Sequence, residues 1–475
     1  MAASRDRNPL AAYGDWLAGT ADDWPEAALA SAHHAFIDLV AVAVPGSVSE
    51  AARRTAGALS RWGDGPATVI GQPRGLAAPW AALANGTAGH ALDFDDNFDP
   101  AKAHATTVLA PAILALAQER GGSGRQCLDA YIAGLQIMGR VGQGVNPLHR
   151  NRGWHATATV GALGAAAAGA RFLKLDAERA AHAISMATSM AAGFMSQFGT
   201  MTKPLHAGLA AKAGVMATSL AEAGITAGRE TLDSPTGMNR LMVGQDYEAQ
   251  RDSLTHVEHG QTLRFETAHV GEPLLILSSG LKVKRFPNCA STHRSLDGLL
   301  AIRAEQGLRP EMVARIEAWL PVTHYNNLMH HDARTALEAK FSLEYALAAG
   351  LVSGNCTLRD FSATAVMRPE VRALYDILHI TPVDKPEGEF PTRIQVTLKD
   401  GRRFEKSMAM PVGSIAAPFT MAQYWEKFDA CVQGIMAEGT AARLRQALAD
   451  LPVLPSIEPL MAPLKGPFPG RLNED

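Results

Sequence analysis

Residues 156–173 read ATATVGALGAAAAGARFL, and this stretch decides the fold class. It is long enough for a helix of several turns, and eleven of its eighteen residues are Ala or Gly. A helix surfaced in this way lets its neighbours approach almost to backbone contact. Similar runs flank it, at residues 27–44, 79–92, 106–120, 127–142, 177–198 and 204–223, and many of their faces are Ala, Gly, Ser and Met. The first of them is read as stopping at Pro45-Gly46, a normal helix terminator. From Leu10 to about Gly228 the pattern is therefore helical, with no internal repeat of fixed period.

Beyond about His269 the character changes. Residues 314–320 and 393–398 alternate as strands do, and Asp400-Gly401 leads into 403–409 as a hairpin. Helical segments at 295–306 and 334–352 lie among them, and 420–451 is helical again. The chain thus reads as mainly α. A large all-helical domain is built from both chain ends (1–268 and 411–475), with a smaller α+β domain inserted between them (269–410). The Pro-rich tail, 452–469, is read as an extended or partly disordered strap.

Composition removes several function classes. The chain has 475 residues, enough for two or three domains, and a formal net charge of -3, which gives no footprint for nucleic acid or anionic lipid. Aromatic residues make up only 6%, too few for an aromatic-rich sandwich. Cys127, Cys289, Cys356 and Cys431 are scattered without a CxxC pair, which points to reduced thiols in a cytoplasmic protein. Arg5 and Arg7 are followed by no apolar core, so no secretory signal is read. The most apolar stretches, 36–44 and 157–170, are short or dominated by Ala and Gly, so no membrane span is expected. No GxGxxG after a strand, GxxxxGK[ST], HExxH or GxSxG occurs, which leaves hydride transfer, nucleotide hydrolysis and serine-hydrolase chemistry without support.

The densest chemistry lies in His90-Ala-Leu-Asp93-Phe-Asp95-Asp96-Asn97-Phe-Asp99, followed by His104. Acids at a helix C-terminus oppose the macrodipole, so a basic or metallic partner is called for. Asp95-Asp96-Asn-Phe-Asp99 matches the magnesium motif of terpene synthases, and Asp93-Phe-Asp95-Asp96 the acid of terpene cyclases. The second metal-binding motif such a synthase requires has no suitable counterpart, and the aromatic content does not build a carbocation cavity. Three helix starts each carry a basic group: His104 before Thr106, Gly153-Trp154-His155, and Lys203-Pro204-Leu205-His206. Unpaired N–H groups at a helix start attract anions, and a lysine or histidine beside them strengthens the preference. The run from Lys282 through Lys284, Arg285 and Pro287 to Ser291-Thr292-His293 repeats the pattern. His324-Tyr325 with His330-His331-Asp332 has no spacing of a standard metal site, so no metal is assigned.

These segments resemble the MmgE/PrpD family, which includes 2-methylcitrate dehydratase, cis-aconitate decarboxylase and iminodisuccinate epimerase. The markers are Asn85-Gly86-Thr87-Ala-Gly-His90-Ala-Leu-Asp93-Phe-Asp95-Asp96, Gly153-Trp-His155-Ala-Thr157-Ala-Thr159, Thr202-Lys203-Pro-Leu-His206-Ala-Gly208, Lys284-Arg-Phe-Pro287 with Ser291-Thr-His293, and Ala339-Lys340-Phe-Ser342-Leu. The resemblance runs over most of the chain and implies a helical domain with an α+β lid, in a homodimer. Carried over by position, it implies a site of Asp93, His104, His155, Lys203, His293 and Tyr325, with Asn97, Lys284 and His206 contacting substrate. Asn97 stands where the decarboxylase pattern has Thr, and Cys289 where it has His. The expected activity is that of a lyase, dehydratase or decarboxylase, acting on a small di- or tricarboxylate. It would move a proton next to a carboxylate, with no cofactor and no metal. An epimerase using two opposed bases in the same pocket, and a non-catalytic polycarboxylate-binding protein, are the alternatives. In this scheme His104 is the acid/base, and Asp93 holds a histidine tautomer or a substrate hydroxyl.

Overall fold

The computed structural model describes residues 8–255, 257–385 and 388–471. The described chain divides into two compact units. One comprises the chain up to Ala91, Asp95–Lys282 and Tyr424–Arg471; the other comprises Leu92–Phe94 and Val283–Gln423.

The first unit is helical. Its main elements are α1 (Glu26–Ser47), α2 (Ala78–His90), α3 (Thr106–Arg120), α4 (Gly124–Val145), α5 (Ala156–Phe172), α6 (Ala177–Thr188) and α7 (Thr202–Glu222). Local signals start several of them: Ser123 and Gln126 form a capping box on α4, and Asp176 caps α6. The small side chains act as the sequence implies. A Cβ on Gly208 of α7 would lie 2.1 Å from the Leu83 carbonyl of α2, and one on Gly214 would lie 2.3 Å from Ala165 of α5. α7 therefore packs against two helices almost backbone to backbone, and its register is fixed by glycine. A larger residue at these points would force the helices apart.

α1 is the one described helix long and apolar enough to cross a membrane, and two thirds of its most apolar window is buried within the protein. Asp38, near its middle, makes a buried ion pair of 2.6 Å with Lys427. A charged pair inside a packed unit marks a core helix and not a lipid-facing one.

The second unit packs helices on a four-stranded sheet. Its main elements are α8 (His293–Gln306), β1 (Val313–Pro321), α9 (Leu343–Ser353), β2 (Leu378–Val383), β3 (Thr392–Leu398) and β4 (Arg403–Met408). The strand order is β2-β1-β3-β4; β1 runs parallel to β2, with Ile316 opposite Leu378, and antiparallel to β3. Strand β3 alternates buried and half-buried positions along its length, and Ile394 and Val396 join Leu296, Leu299 and Leu347 in the core beneath.

Five expectations need correction. The helix read over 27–44 continues through Pro45 and ends at Ser47; Pro45 lacks the N–H that would bond four residues back, and the helix stops two residues later. The helix read over 177–198 ends at Thr188. The following residues are drawn away by pairing elsewhere: the Trp154–Phe194 bridge and the bond from His155 N–H to the Gly193 carbonyl, 2.9 Å. The helix read over 334–352 breaks into Ala336–Ala339 and α9, with Ser342 capping the latter. The helix read over 420–451 is likewise two, Met421–Val432 and Glu438–Ala449, parted at Gly434, where φ is +78°. The tail from 452 is ordered through 471, burying Leu460 and Leu464 and pairing Lys465 with Ile70.

Candidate active site

Three basic groups at helix starts come together in the helical unit. His104 immediately precedes the segment that enters α3, His155 is the N-cap residue of α5, and Lys203 is the second residue of α7. His90, the last residue of α2, sits between them. Its ring centroid lies 4.4 Å from that of His104 and 6.2 Å from that of His155, nearly parallel to the latter. The His155 and His206 rings approach with Nδ1 atoms 3.0 Å apart, so one donates and the other accepts. The His104 backbone N–H donates to Thr157 Oγ1 at 3.1 Å, which fastens the His104 loop to the first turn of α5.

The carboxylate among these rings belongs to Asp95. His90 Nδ1 lies 2.9 and 3.0 Å from its two oxygens, and His104 Nδ1 lies 3.3 Å from Oδ2. The His90 and Asp95 side chains are respectively 0% and 1% exposed, so this geometry is set by packing and not by solvent. Burial alone would raise the Asp95 pKa, but His90 and His104 overcome it and hold the group well below the usual carboxylate range. Burial lowers His90 to about 4 against the pull of Asp95, with His104 and Lys203 adding to the fall. Burial, then the charges of His90, Lys203, His104 and His206, brings His155 well below the ordinary imidazole value, and burial lowers His206. His90 and His155 are thus neutral at pH 7.

Behind Asp95, Asp96 turns the other way. It accepts from the Thr106 hydroxyl and, at 3.3 Å, from the Thr106 backbone N–H, and Tyr131 OH lies 2.6 Å from that hydroxyl. Burial pushes Asp96 up to about 7; the Thr106 bonds oppose this, while the charges of Asp38 and Asp95 add to it.

One wall of the cluster is aromatic. Phe198, on the loop that replaces the expected end of α6, meets His155 edge-on at 4.9 Å, and Lys203 Nζ lies 5.4 Å from its ring centre.

The remaining expected residues fall as follows. Asn97 pairs its backbone with Lys282, at 2.9 and 2.8 Å, in the helical unit. Asp93 belongs to the α+β unit, where its backbone is left-handed with φ +55° and its carboxylate pairs with Lys284 at 3.2 Å. Lys284 also donates to the Asp93 carbonyl, and Lys340 to that of Leu92 at 3.0 Å. His293, buried, is the first residue of α8 and lies edge-on to Phe286 at 5.2 Å. Tyr325, in the short helix Val322–Asn327, stacks on His331 at 5.1 Å. Helix-start reasoning thus brings His104, His155, Lys203 and His206 together and misses His90, Asp95 and Phe198. The first two lie in the quoted acidic run, but nothing in composition says which of its acids faces a histidine. His90, Asp95 and His104 also offer donor atoms within 4.8 Å of one another, the place among these residues where a cation could be held. Their separations are hydrogen-bond lengths, and the Lys203 charge acts on the same rings.

The fold and this cluster define a mainly helical enzyme. The MmgE/PrpD N-terminal domain model matches residues 14–250, and the MmgE/PrpD C-terminal domain model matches 286–452. The chain belongs to the MmgE/PrpD family and is a lyase. It is similar to cis-aconitate decarboxylase of Homo sapiens, 29% identical over 425 residues, 85% of this chain and 82% of the relative. The Mus musculus protein of that name is 30% identical over 84% of this chain and 81% of its own length. That of Aspergillus terreus is 25% identical over 95% and 96%.

Proposed function

We propose that the chain removes carbon dioxide from a small di- or tricarboxylate of the cis-aconitate kind, without a cofactor, by acid/base proton transfer next to a carboxylate. The observation that carries this reading is the meeting of His104, His155, Lys203 and His206 in the helical unit, with His104 held against the buried Asp95 carboxylate. The names of the relatives favour decarboxylation over dehydration.

The residues divide the work by charge. Lys203 binds a substrate carboxylate and stabilises charge that develops there. As the carbon–carboxylate bond breaks, its electron pair passes into the unsaturated skeleton toward a remaining carboxylate, and carbon dioxide leaves. The carbon then takes one proton from the imidazolium of His104, which is reprotonated from solvent. His155, neutral through burial, orients a carboxylate by hydrogen bonding, with His206 behind it. Asn97, Lys284, Asp93, His293 and Tyr325 are assigned to substrate by the family pattern. The working species is a homodimer; light scattering that gives a monomer mass at micromolar concentration would remove that part.

The test is a panel of cis-aconitate, citrate, 2-methylcitrate and succinate-type acids in deuterated water, read by proton NMR. Decarboxylation leaves a carbon-bound deuterium in a product one carboxylate poorer. Loss of water with all carboxylates retained marks a dehydratase. Exchange beside a carboxylate with no group lost marks an epimerase, and binding without either marks a non-catalytic protein.

A further inference from the structure

The two residues that no helix-start pattern marks, His90 and Asp95, stand in a relation that the proposed chemistry leaves unused. Asp95 offers its two oxygens to two imidazoles at once. His90 Nδ1 spans both oxygens, at 2.9 and 3.0 Å, and His104 Nδ1 approaches Oδ2 at 3.3 Å. A deprotonated carboxylate only accepts, so His90 Nδ1, which hydrogen-bonds to it, carries its hydrogen there. The Asp95 charge 3.3 Å from His104 Nδ1 favours a hydrogen on that nitrogen as well, leaving Nε2 as the nitrogen that exchanges a proton with substrate. In His90 the other nitrogen, Nε2, is buried and has no hydrogen-bond partner among the described residues. His90 therefore has one polar engagement, and it is with Asp95.

Rotation of Asp95 is the freedom that His90 removes. A carboxylate held by one partner can swing about its terminal torsion, whereas the two-oxygen grip sets its plane and keeps Oδ2 toward His104. Lys203 on α7 and Asp95 act electrostatically on His90. Asp95 also faces His104 directly. The arrangement has the logic of an orienting acid behind a catalytic histidine, with a second histidine locking the acid.

We propose that Asp95 is a positioning residue that fixes His104 with Nδ1 protonated and Nε2 toward substrate, and that His90 positions Asp95 in turn. This rests on the assignment of His104 as the acid/base.

The test uses the full-length protein with ring-¹⁵N-labelled histidine, His104 being assigned by the signal lost in His104→Gln. Free wild type shows a protonated Nδ1 and an unprotonated Nε2 when His104 is neutral. Asp95→Asn presents an amide N–H₂ that can donate to Nδ1, so the tautomer reverses. With cis-aconitate as substrate, its kcat falls on the order of 10²–10⁴-fold while KM moves by about threefold or less. Asp95→Glu retains the wild-type tautomer and recovers part of the rate, and His90→Phe, which keeps a planar ring but removes the Nδ1–H, broadens the His104 signals toward a tautomer mixture. A wild-type His104 protonated on Nε2, or an unchanged tautomer in a folded Asp95→Asn protein, overturns the proposal. The spectra need no substrate, so a protein inert toward cis-aconitate would overturn the assigned function and leave the positioning of His104 still decided by NMR.

Discussion

Lys203→Met removes an ammonium from the start of α7 while keeping an apolar stem of similar length. What this costs the empty protein follows from its neighbours. The ammonium lies 5.4 Å from the Phe198 ring centre, a contact worth about 0.5–1 kcal/mol at a partly exposed position. Its charge also depresses His90 and His155, but both rings are neutral at pH 7, so little repulsion is relieved there. Loss of the Phe198 contact by itself should lower apo stability at pH 7 by about 0.5–1 kcal/mol. In acid the sign turns. A histidine with a lowered folded pKa costs stability as pH falls below the unfolded value, because the unfolded chain binds the proton first. Without Lys203 that loss is smaller, so the variant gains on wild type between about pH 6.5 and 4. The substrate effect is larger, since one charged hydrogen bond to a carboxylate contributes about 1.5–3 kcal/mol. Dissociation constants should rise roughly 10- to 150-fold. Thermal melts from pH 5 to 8 and titration calorimetry, with and without cis-aconitate, read both effects. A variant that loses more than about 3 kcal/mol at pH 7 yet is stabilised by ligand as wild type is would make Lys203 a structural ion-pair partner and refute the reasoning.

Other consequences can be checked separately. Asp96, raised to about 7 chiefly by burial, keeps its proton after the unfolded chain has lost it, so its contribution falls as pH rises from about 4 to 7. Asp96→Asn should therefore gain on wild type across that window, by up to roughly 4 kcal/mol at about 1.4 kcal/mol per pH unit; a pH-independent difference in urea melts contradicts this. His104→Ala should lower kcat about 10²–10⁴-fold with a much smaller change in substrate binding, and near wild-type turnover would make His104 structural. Gly208→Ala places a Cβ 2.1 Å from the Leu83 carbonyl and should cost about 1–3 kcal/mol; an unshifted melt shows that α2 and α7 separate freely. Activity should survive EDTA. Loss on chelation with recovery on adding a divalent ion would make His90, Asp95 and His104 metal ligands.

What could be read in advance was what local chemistry determines. The helix starts that carry His104, His155 and Lys203 announce themselves through small residues, a nearby proline and basic groups next to unpaired donors. Strands β1, β3 and β4 announce themselves by alternation and the Asp400-Gly401 turn. What escaped depends on partners distant in sequence. Strand β2 exists because it pairs in parallel with β1, 62 positions earlier at Ile316 and Leu378. The loop that carries Phe198 leaves the helix because Gly193 and Phe194 find partners at His155 and Trp154. The choice of Asp95 among neighbouring acids is a matter of backbone direction. The chain turns left-handed at Asp93, a conformation that Asp tolerates but that composition does not announce. Asp93 then pairs with Lys284, while Asp95 faces His90 and His104.

The most direct measurement follows wild type and His104→Ala with cis-aconitate in deuterated water, recording released carbon dioxide and deuterium on the product carbon together. The account predicts one carbon dioxide and one carbon-bound deuterium per turnover in wild type, with both falling in parallel in the variant. Carbon dioxide release that persists in His104→Ala, or a wild-type protein that binds cis-aconitate without releasing carbon dioxide, would contradict it.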